Sequence, residues 1–562
     1  MTWGPERLHD GSTRFRLWAP DADAVSIELD GGATTTLTAA AEGWYETVLP
    51  APPGTRYRFL IGGEAVPDPA SRRQAGGVHG WSVVVGDHYA WRHDDWRGRP
   101  WHETVAIEMH AGTLGGFAGI AARLPGWADI GITAIELMPV AAFAGERGWG
   151  YDGVLPYAVH EAYGSPDELR ALIDAAHGVG MSVLLDVVYN HFGPDGNYLG
   201  GYASAFFDAE VHTPWGGAVA VRREPVARFF IDNALMWLRD YRIDGLRFDA
   251  VHAIADPAFL DRMATELRAA CPDRHVHLVL ENEDNDAPRL RPHHYDAQWN
   301  DDFHNVLHVL LTGETSAYYA DFADRPAERL ARCLAEGFIY QGDPSPNHDG
   351  APRGTVSGHL PPTSFVSFLQ NHDQVGNRAL GERLLSLADP AKLRAATALL
   401  LLCPQIPLLF MGEEEGSDTP FLFFTDFHDE LADAVRNGRR KEFAKFDAFA
   451  DEGARAAIPD PNDQTTFERS IPRPGPDADR WRALYRELIG LRRAHIIPRL
   501  AGAVAIAAEA TGEAAVTARW RLGDGCILTI AIDLAETAAA LPAPDGDPLF
   551  TCDGRLIAWI AQ

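Results

Sequence analysis

The chain reads as a multidomain α/β protein: a central (β/α)8 TIM barrel, preceded by a β-sandwich and followed by a small β-domain. Three observations predict this. Eight apolar runs alternate with helical patterns over about 380 residues. Those runs are apolar on both faces, as the strands of a parallel barrel must be. Several of them end on an ionisable residue, and barrel sites form at the carboxyl ends of strands. A doubly wound sheet and separate α/β domains are the rival folds; the crowding of chemical residues at strand ends favours the barrel.

Residues 1–88 carry the first unit. Arg14-Phe15-Arg16-Leu17-Trp18 and Val25-Ser26-Ile27-Glu28-Leu29 alternate polar with apolar side chains, and Gly31-Gly32 and Pro52-Pro53-Gly54 mark turns. A polar linker over 87–102, with Trp91, Trp96 and Trp101, leads into the barrel at 89–490. Its strands are expected at 105–110, 132–137, 181–186, 243–249, 276–281, 297–299, 364–369 and 406–411. The helix before the third strand has Ser165 as N-cap, Pro166 at its first position and Glu168 completing a capping box. Leu169, Leu172, Ile173 and Ala176 make its apolar stripe, and Gly178 and Gly180 end it. After the last strand come an irregular segment with Phe421-Leu422-Phe423-Phe424 and a basic stretch, 436–445, read as a solvated helix face. Alternation returns near Gly502, placing a C-terminal β-domain in 491–562.

Composition sets limits. The chain has 562 residues, 46% hydrophobic and 23% charged, with a formal net charge of −30 and no Lys/Arg-rich run beyond the short basic stretch 436–445. Nucleic acid and anionic membrane are therefore poor partners, while a neutral substrate meets no electrostatic barrier. Cys271, Cys333, Cys403, Cys526 and Cys552 are scattered, with neither C-x-x-C nor zinc spacing. Such usage suits a reducing cytoplasm. The N-terminal residues lack the apolar core of a signal peptide. The most hydrophobic stretch, 395–411, is broken by Pro404, Gln405 and Pro407 and reads as a buried helix, a turn and a strand. No metal-binding cluster stands out, and no cofactor is expected.

The chemistry lies in the strand ends: Leu246-Arg247-Phe248-Asp249, Leu278-Val279-Leu280-Glu281 and Leu369-Gln370-Asn371-His372-Asp373. Cleaving a bond between sugars requires two carboxyl groups facing each other across the glycosidic oxygen. Asp249 is the candidate nucleophile, because Arg247 two residues earlier points the same way and favours an ionised partner. Glu281 is the candidate general acid, since apolar neighbours help a carboxyl group keep its proton. Asp373 suits the binding of two sugar hydroxyls and of a distorted, oxocarbenium-like ring. Each stretch alone also reads as a structural ion pair, a helix cap or a turn. Four such ends, counting Asp186-Val187-Val188-Tyr189-Asn190-His191, are hard to explain as unrelated turns.

In order and context these four stretches resemble the signature regions of the α-amylase superfamily of glycoside hydrolases. Arg16-Leu17-Trp18-Ala19-Pro20 resembles the N-terminal, immunoglobulin-like, carbohydrate-binding-module sandwich of branching and debranching relatives. The resemblance implies a retaining double displacement, with Asp249 as nucleophile, Glu281 as acid/base and Asp373 as transition-state stabiliser. It also implies that Tyr189, His191, Arg247 and His372 line the subsite of the reacting sugar, with His252 in the same signature stretch as Asp249.

Trp149-Gly150-Tyr151-Asp152-Gly153-Val154, Gln298-Trp299-Asn300-Asp301-Asp302-Phe303-His304 and Glu281-Asn282-Glu283-Asp284-Asn285 are similar, within that superfamily, to the maltooligosyltrehalose trehalohydrolases. That likeness implies an α-glucan carrying a terminal trehalose as substrate, and a maltooligosyltrehalose synthase as pathway partner. Asp302, His304, Gln374 and Asn377 would then meet the leaving trehalose. Trp215 either stacks on a sugar or packs a loop, and Glu283 either touches the leaving sugar or is plain surface. The tract Gly342-Asp343-Pro344-Ser345-Pro346-Asn347-His348-Asp349-Gly350 departs from the more basic loop expected there. A glycogen branching or debranching enzyme is the alternative within the superfamily, and a non-catalytic glucan-binding protein the alternative outside enzymes.

Overall fold

The computed structural model describes residues 3–213, 216–254, 256–444, 449 and 451–562. Its centre is a closed barrel of eight parallel strands: Ala106–Met109, Ala134–Leu137, Ser182–Val187, Gly245–Phe248, His277–Leu280, Ala297–Trp299, Phe365–Ser367 and Ile406–Phe410. All eight apolar runs form strands, each pairing with the next, and the eighth closes on the first through Leu408 opposite Ala106. Most strands stop short of the apolar run that signals them. The seventh ends at Ser367, so Asp373 stands beyond it, on the short helix His372–Gly376.

Side-chain alternation fixes what the barrel interior contains. Ala106, Ala134, Leu184, Val279, Trp299, Ile406 and Leu408 form one inner cluster. Two residues further along four of these strands, on the same face, come Glu108, Glu136, Asp186 and Glu281. Register pairs Glu108 with Glu136, and Asp186 with Arg247. An apolar plug thus fills the barrel below a charged layer at the carboxyl end.

The capping box forms as predicted: Ser165 Oγ accepts from the Glu168 N–H at 3.2 Å, and Glu168 Oε2 accepts from the Ser165 N–H at 2.7 Å. Stretch 395–411 is the expected helix, turn and strand (Pro390–Leu402, then Ile406–Phe410). Its turn is held by Arg492, which donates to the carbonyls of Cys403 and Gln405, both at 2.6 Å.

The N-terminal segment forms two sheets, of four and six strands. Trp3 fastens it to the barrel: its ring meets Phe229 edge-on at 4.9 Å and its Nε1–H donates to the Pro225 carbonyl at 2.9 Å. The linker passes under the barrel, where Trp96 donates to Asp244 at 3.0 Å and Trp101 to the Thr363 carbonyl at 2.8 Å. A five-stranded sheet starting at Val504 closes the chain, with Trp520 donating to Leu334 on a barrel helix. The basic stretch lies mainly on the helix Asp429–Phe443, but Arg439 is a correction: it is buried and donates to the Gly376 carbonyl at 2.7 Å. Lys445 lies outside the described residues.

Candidate active site

Three strand ends and one short helix bring the acids together around one buried cation. Arg247 is wholly buried. Its Nη1 donates to Asp186 Oδ2 at 2.6 Å and to Asp249 Oδ1 at 2.9 Å, and its Nη2 lies 2.8 Å from Glu281 Oε2. The guanidinium rests on the Trp299 ring, 4.1 Å from its centroid. A buried charge needs such compensation, and three carboxylates with an aromatic face supply it.

Each acid is also held by its own backbone neighbourhood. Asp249 takes a second hydrogen bond at Oδ2, from Asn190 Nδ2 at 2.8 Å. Glu281 Oε2 accepts the Ala250 N–H at 2.8 Å. Ala250 adopts a left-handed backbone with φ of 41°, a strained state for a residue with a Cβ, and one that turns this N–H onto Glu281. Asp373 is set by the helix cap at Asn371, whose Oδ1 accepts from the Asp373 N–H at 2.9 Å. Asn377 Nδ2 donates to Asp373 Oδ1 at 3.1 Å, and Gln374 Nε2 donates to Asp301 Oδ1 at 3.2 Å.

Burial and mutual repulsion shift the protons. Asp186 is pushed up to about 7 by burial, with the Asp249 charge adding and Arg247 opposing. Asp301 is pushed up to about 8 by burial and by Glu281 and Asp373. Asp373 is raised by burial and by Glu281, against the pull of His372. His372 moves oppositely: burial lowers it, but Glu108 and Asp373 prevail and raise it to about 9.

Several residues at the site do not stand among the sequence candidates. Tyr151 donates to Asp186 Oδ2 at 2.6 Å and stacks on His372 with ring centroids 4.8 Å apart. Glu108 binds His372, and Asp301, rather than Asp302, faces Glu281 and Asp373. An acid inside an apolar run is a usable signal for Glu108. Tyr151 is carried in by a loop; the stretch 149–154 that contains it stands out by its resemblance, but nothing in it points to Asp186 or His372.

Other candidates lie elsewhere. Tyr189 is a correction: its hydroxyl donates to Asn233 on the helix Glu224–Arg239 at 2.6 Å, and its ring packs on Phe230, so it belongs to the wall behind the site. Asp302 is another: fully buried, it accepts from the N–H groups of Ile339 and Tyr340 and from Asn285 Nδ2, with Arg353 Nη2 3.3 Å away. His304 is a third, buried with Nδ1 against the Leu369 carbonyl and pushed down to about 3 by burial. In each case a local polar partner inside the fold claims the side chain. His191 stays at the site, with Nε2 3.1 Å from the Tyr151 carbonyl. His252 and Glu283 form a rim pair, with His252 Nδ1 accepting the Glu283 N–H at 3.3 Å and His348 Nε2 3.6 Å from Glu283. Trp215 lies outside the described residues. Among the described residues no group of three or more His, Cys, Asp or Glu side chains is arranged to hold a metal.

The α-amylase catalytic-domain family matches residues 88–207, carbohydrate-binding module 48 (the isoamylase N-terminal domain) matches 2–90, and a domain of unknown function, DUF3459, matches 505–557. Malto-oligosyltrehalose trehalohydrolase of Deinococcus radiodurans is 42% identical over 500 residues, covering 86% of this chain and 81% of its own. The protein of the same name from a Rhizobium species is 38% identical, covering 95% of this chain and 94% of its own. The chain belongs to the malto-oligosyltrehalose trehalohydrolase family. A crystal structure of a putative α-amylase from Salmonella typhimurium superposes with a TM-score of 0.94 at 45% identity, covering 100% of this chain and 99% of that one. This family's frame of sandwich, barrel and terminal sheet therefore spans the whole chain, with the charged layer at its centre.

Proposed function

We propose that this chain hydrolyses the α-1,4-glucosidic bond next to the terminal trehalose of a maltooligosyltrehalose and releases trehalose with retention of configuration. The observation that carries the reading is the family membership, at 38–42% identity over 86–95% of the chain. The site supplies chemistry to match: three carboxyl groups at the carboxyl end of a barrel, two of them in contact with one buried guanidinium.

In this mechanism Asp249 attacks the anomeric carbon while Glu281 gives its proton to the glycosidic oxygen, so trehalose departs and a glycosyl ester forms. Glu281 then takes a proton from water, which attacks the same carbon and frees Asp249. Asp373, His372, His191 and Arg247 bind the reacting sugar, and Asp373 meets the hydroxyls of the distorted ring. Gln374, Asn377, His252 and Glu283 lie toward the leaving side.

Residues 1–88, 89–490 and 491–562 are the three units of the enzyme, and a maltooligosyltrehalose synthase supplies its substrate. The reaction is assigned to the cytoplasm, in keeping with five cysteines that are all free. No helix among the described residues is long and apolar enough to cross a membrane.

Product analysis with maltopentaosyltrehalose and maltoheptaose tests the reading. Trehalose plus maltopentaose from the first, with the second nearly untouched, is the expected result. Equal attack on both, or new branch points, overturns it.

A further inference from the structure

Glu108 lies on the first barrel strand, 264 residues from His372, and both of its carboxylate oxygens are committed to that one residue. Oε2 accepts the His372 backbone N–H at 2.9 Å, and Oε1 meets ring Nδ1 at 2.5 Å. The other ring nitrogen, Nε2, lies 3.5 Å from Asp373 Oδ1. An imidazole with a carboxylate at each nitrogen is most stable with a proton on both. Aromatic rings flank the imidazole: Tyr151 stacks on one face, and Trp149 meets it edge-on at 5.7 Å.

Charged and titratable groups reach this imidazole from every element around it. Glu108 comes from the first strand and Asp373 from the ring's own helix, both favouring the cation. Arg247 opposes it from the fourth strand. Tyr151 brings its hydroxyl to 3.4 Å from Nδ1. Glu136, from the second strand, has its carboxyl raised far above the usual range by burial and by Glu108, so it adds little negative charge. His110, beyond the first strand, is driven down to about 3 by burial and stays neutral.

We infer that Glu108 is a positioning residue that locks His372 as an imidazolium, so that an N–H at Nε2, and never a lone pair, is presented to Asp373 and to the reacting sugar. The consequence for catalysis rests on the proposed hydrolysis; the protonation state does not. Glu108 touches no substrate and acts only through His372. The barrel's first strand thereby sets the charge of a residue on the loop after its seventh.

The test is a titration of histidine ring nitrogens by NMR in the full-length protein labelled with ¹⁵N-histidine, with His372→Asn identifying the resonance. In the wild type His372 is expected to stay doubly protonated well above neutrality, with its midpoint near 9. Glu108→Gln should lower that midpoint by at least about one unit, which means about a tenfold loss of the protonated fraction on the alkaline side. Glu108→Asp, which keeps the charge, should retain most of the elevation. In kinetics, Glu108→Gln should lower kcat more than it changes KM, and the deficit should widen as pH rises.

A wild-type midpoint near the ordinary histidine value overturns the inference, as does a midpoint unmoved in Glu108→Gln. Should that variant fail to fold, the wild-type titration alone decides. Failure of the trehalose-releasing assignment would appear in the products and leave the titration as it is.

Discussion

Arg247 on the fourth barrel strand and Asp249 just past its end stand two residues apart, and the Arg247 Nη1–H donates to Asp249 Oδ1 across 2.9 Å. The same nitrogen also serves Asp186, and Nη2 faces Glu281. One cation, sealed from water, therefore organises acids from three strands, so removing one acid leaves it with two.

From this follows the expected behaviour of Asp249→Asn. The variant loses the proposed nucleophile, and turnover of maltooligosyltrehalose should fall by at least about a thousandfold. Circular dichroism and thermal unfolding should remain close to wild type, because Asp186 and Glu281 still compensate Arg247. Turnover within tenfold of wild type would remove Asp249 from its assigned role.

Tyr151→Phe deletes only a hydroxyl, the one donating to Asp186 at 2.6 Å. A hydrogen bond to a charged group contributes about 1.5–3 kcal/mol. A loss of about ten- to a hundredfold in kcat/KM is expected, with the stacking on His372 preserved. Steady-state kinetics on the natural substrate checks it; unchanged kcat/KM would place Tyr151 outside the reacting subsite.

Asp301 gives the stability a pH dependence. Its folded carboxyl is raised to about 8, first by burial and then by Glu281 and Asp373, whereas an unfolded aspartate releases its proton near 4. Between those values the folded state holds a proton that the unfolded chain has lost, so this group costs stability increasingly as pH rises. Asp301→Asn lacks that dependence. Thermal unfolding across the window should show the variant gaining on the wild type toward pH 8, and the alkaline limb of kcat/KM should extend upward. Parallel stability curves for the two proteins would contradict this.

Asp302→Ala should injure the fold far more than the chemistry. Asp302 accepts from two backbone N–H groups and from Asn285, and it neutralises Arg353. Stripping one partner from a buried pair costs about 3–5 kcal/mol. A marked drop in unfolding temperature is expected, with kcat per folded molecule reduced less than tenfold. The opposite pattern, full stability with a large rise in KM, would restore Asp302 as a substrate contact.

Much of this arrangement was legible in the residues alone. Apolar runs located all eight strands, and the acids that end or follow several of them located Asp249, Glu281 and Asp373, because a buried strand must be apolar and the residues at its carboxyl end face the rim. The errors have a common cause. Tyr189, Asp302 and His304 each sit one or a few residues from a side chain that faces the charged cluster, where a small rotation about the chain decides between the cleft and the wall. Asp301 and Asp302 are adjacent, yet one faces Glu281 and Asp373 while the other caps Ile339 and Tyr340.

What the sequence by itself determined was periodicity and chemistry: a barrel between two β-units, acids at its rim, and an Arg–Asp pair sharing a strand face. Only the tertiary structure decided which carboxylates share a proton or a cation. Glu108 meets His372 because barrel closure brings the first and seventh strands' ends together, a loop carries Tyr151 to Asp186, and Arg247 spans three acids because register aligns its strand with both neighbours. The electrostatics of a buried site depend on these few ångströms, and local patterning along a chain carries no information about them.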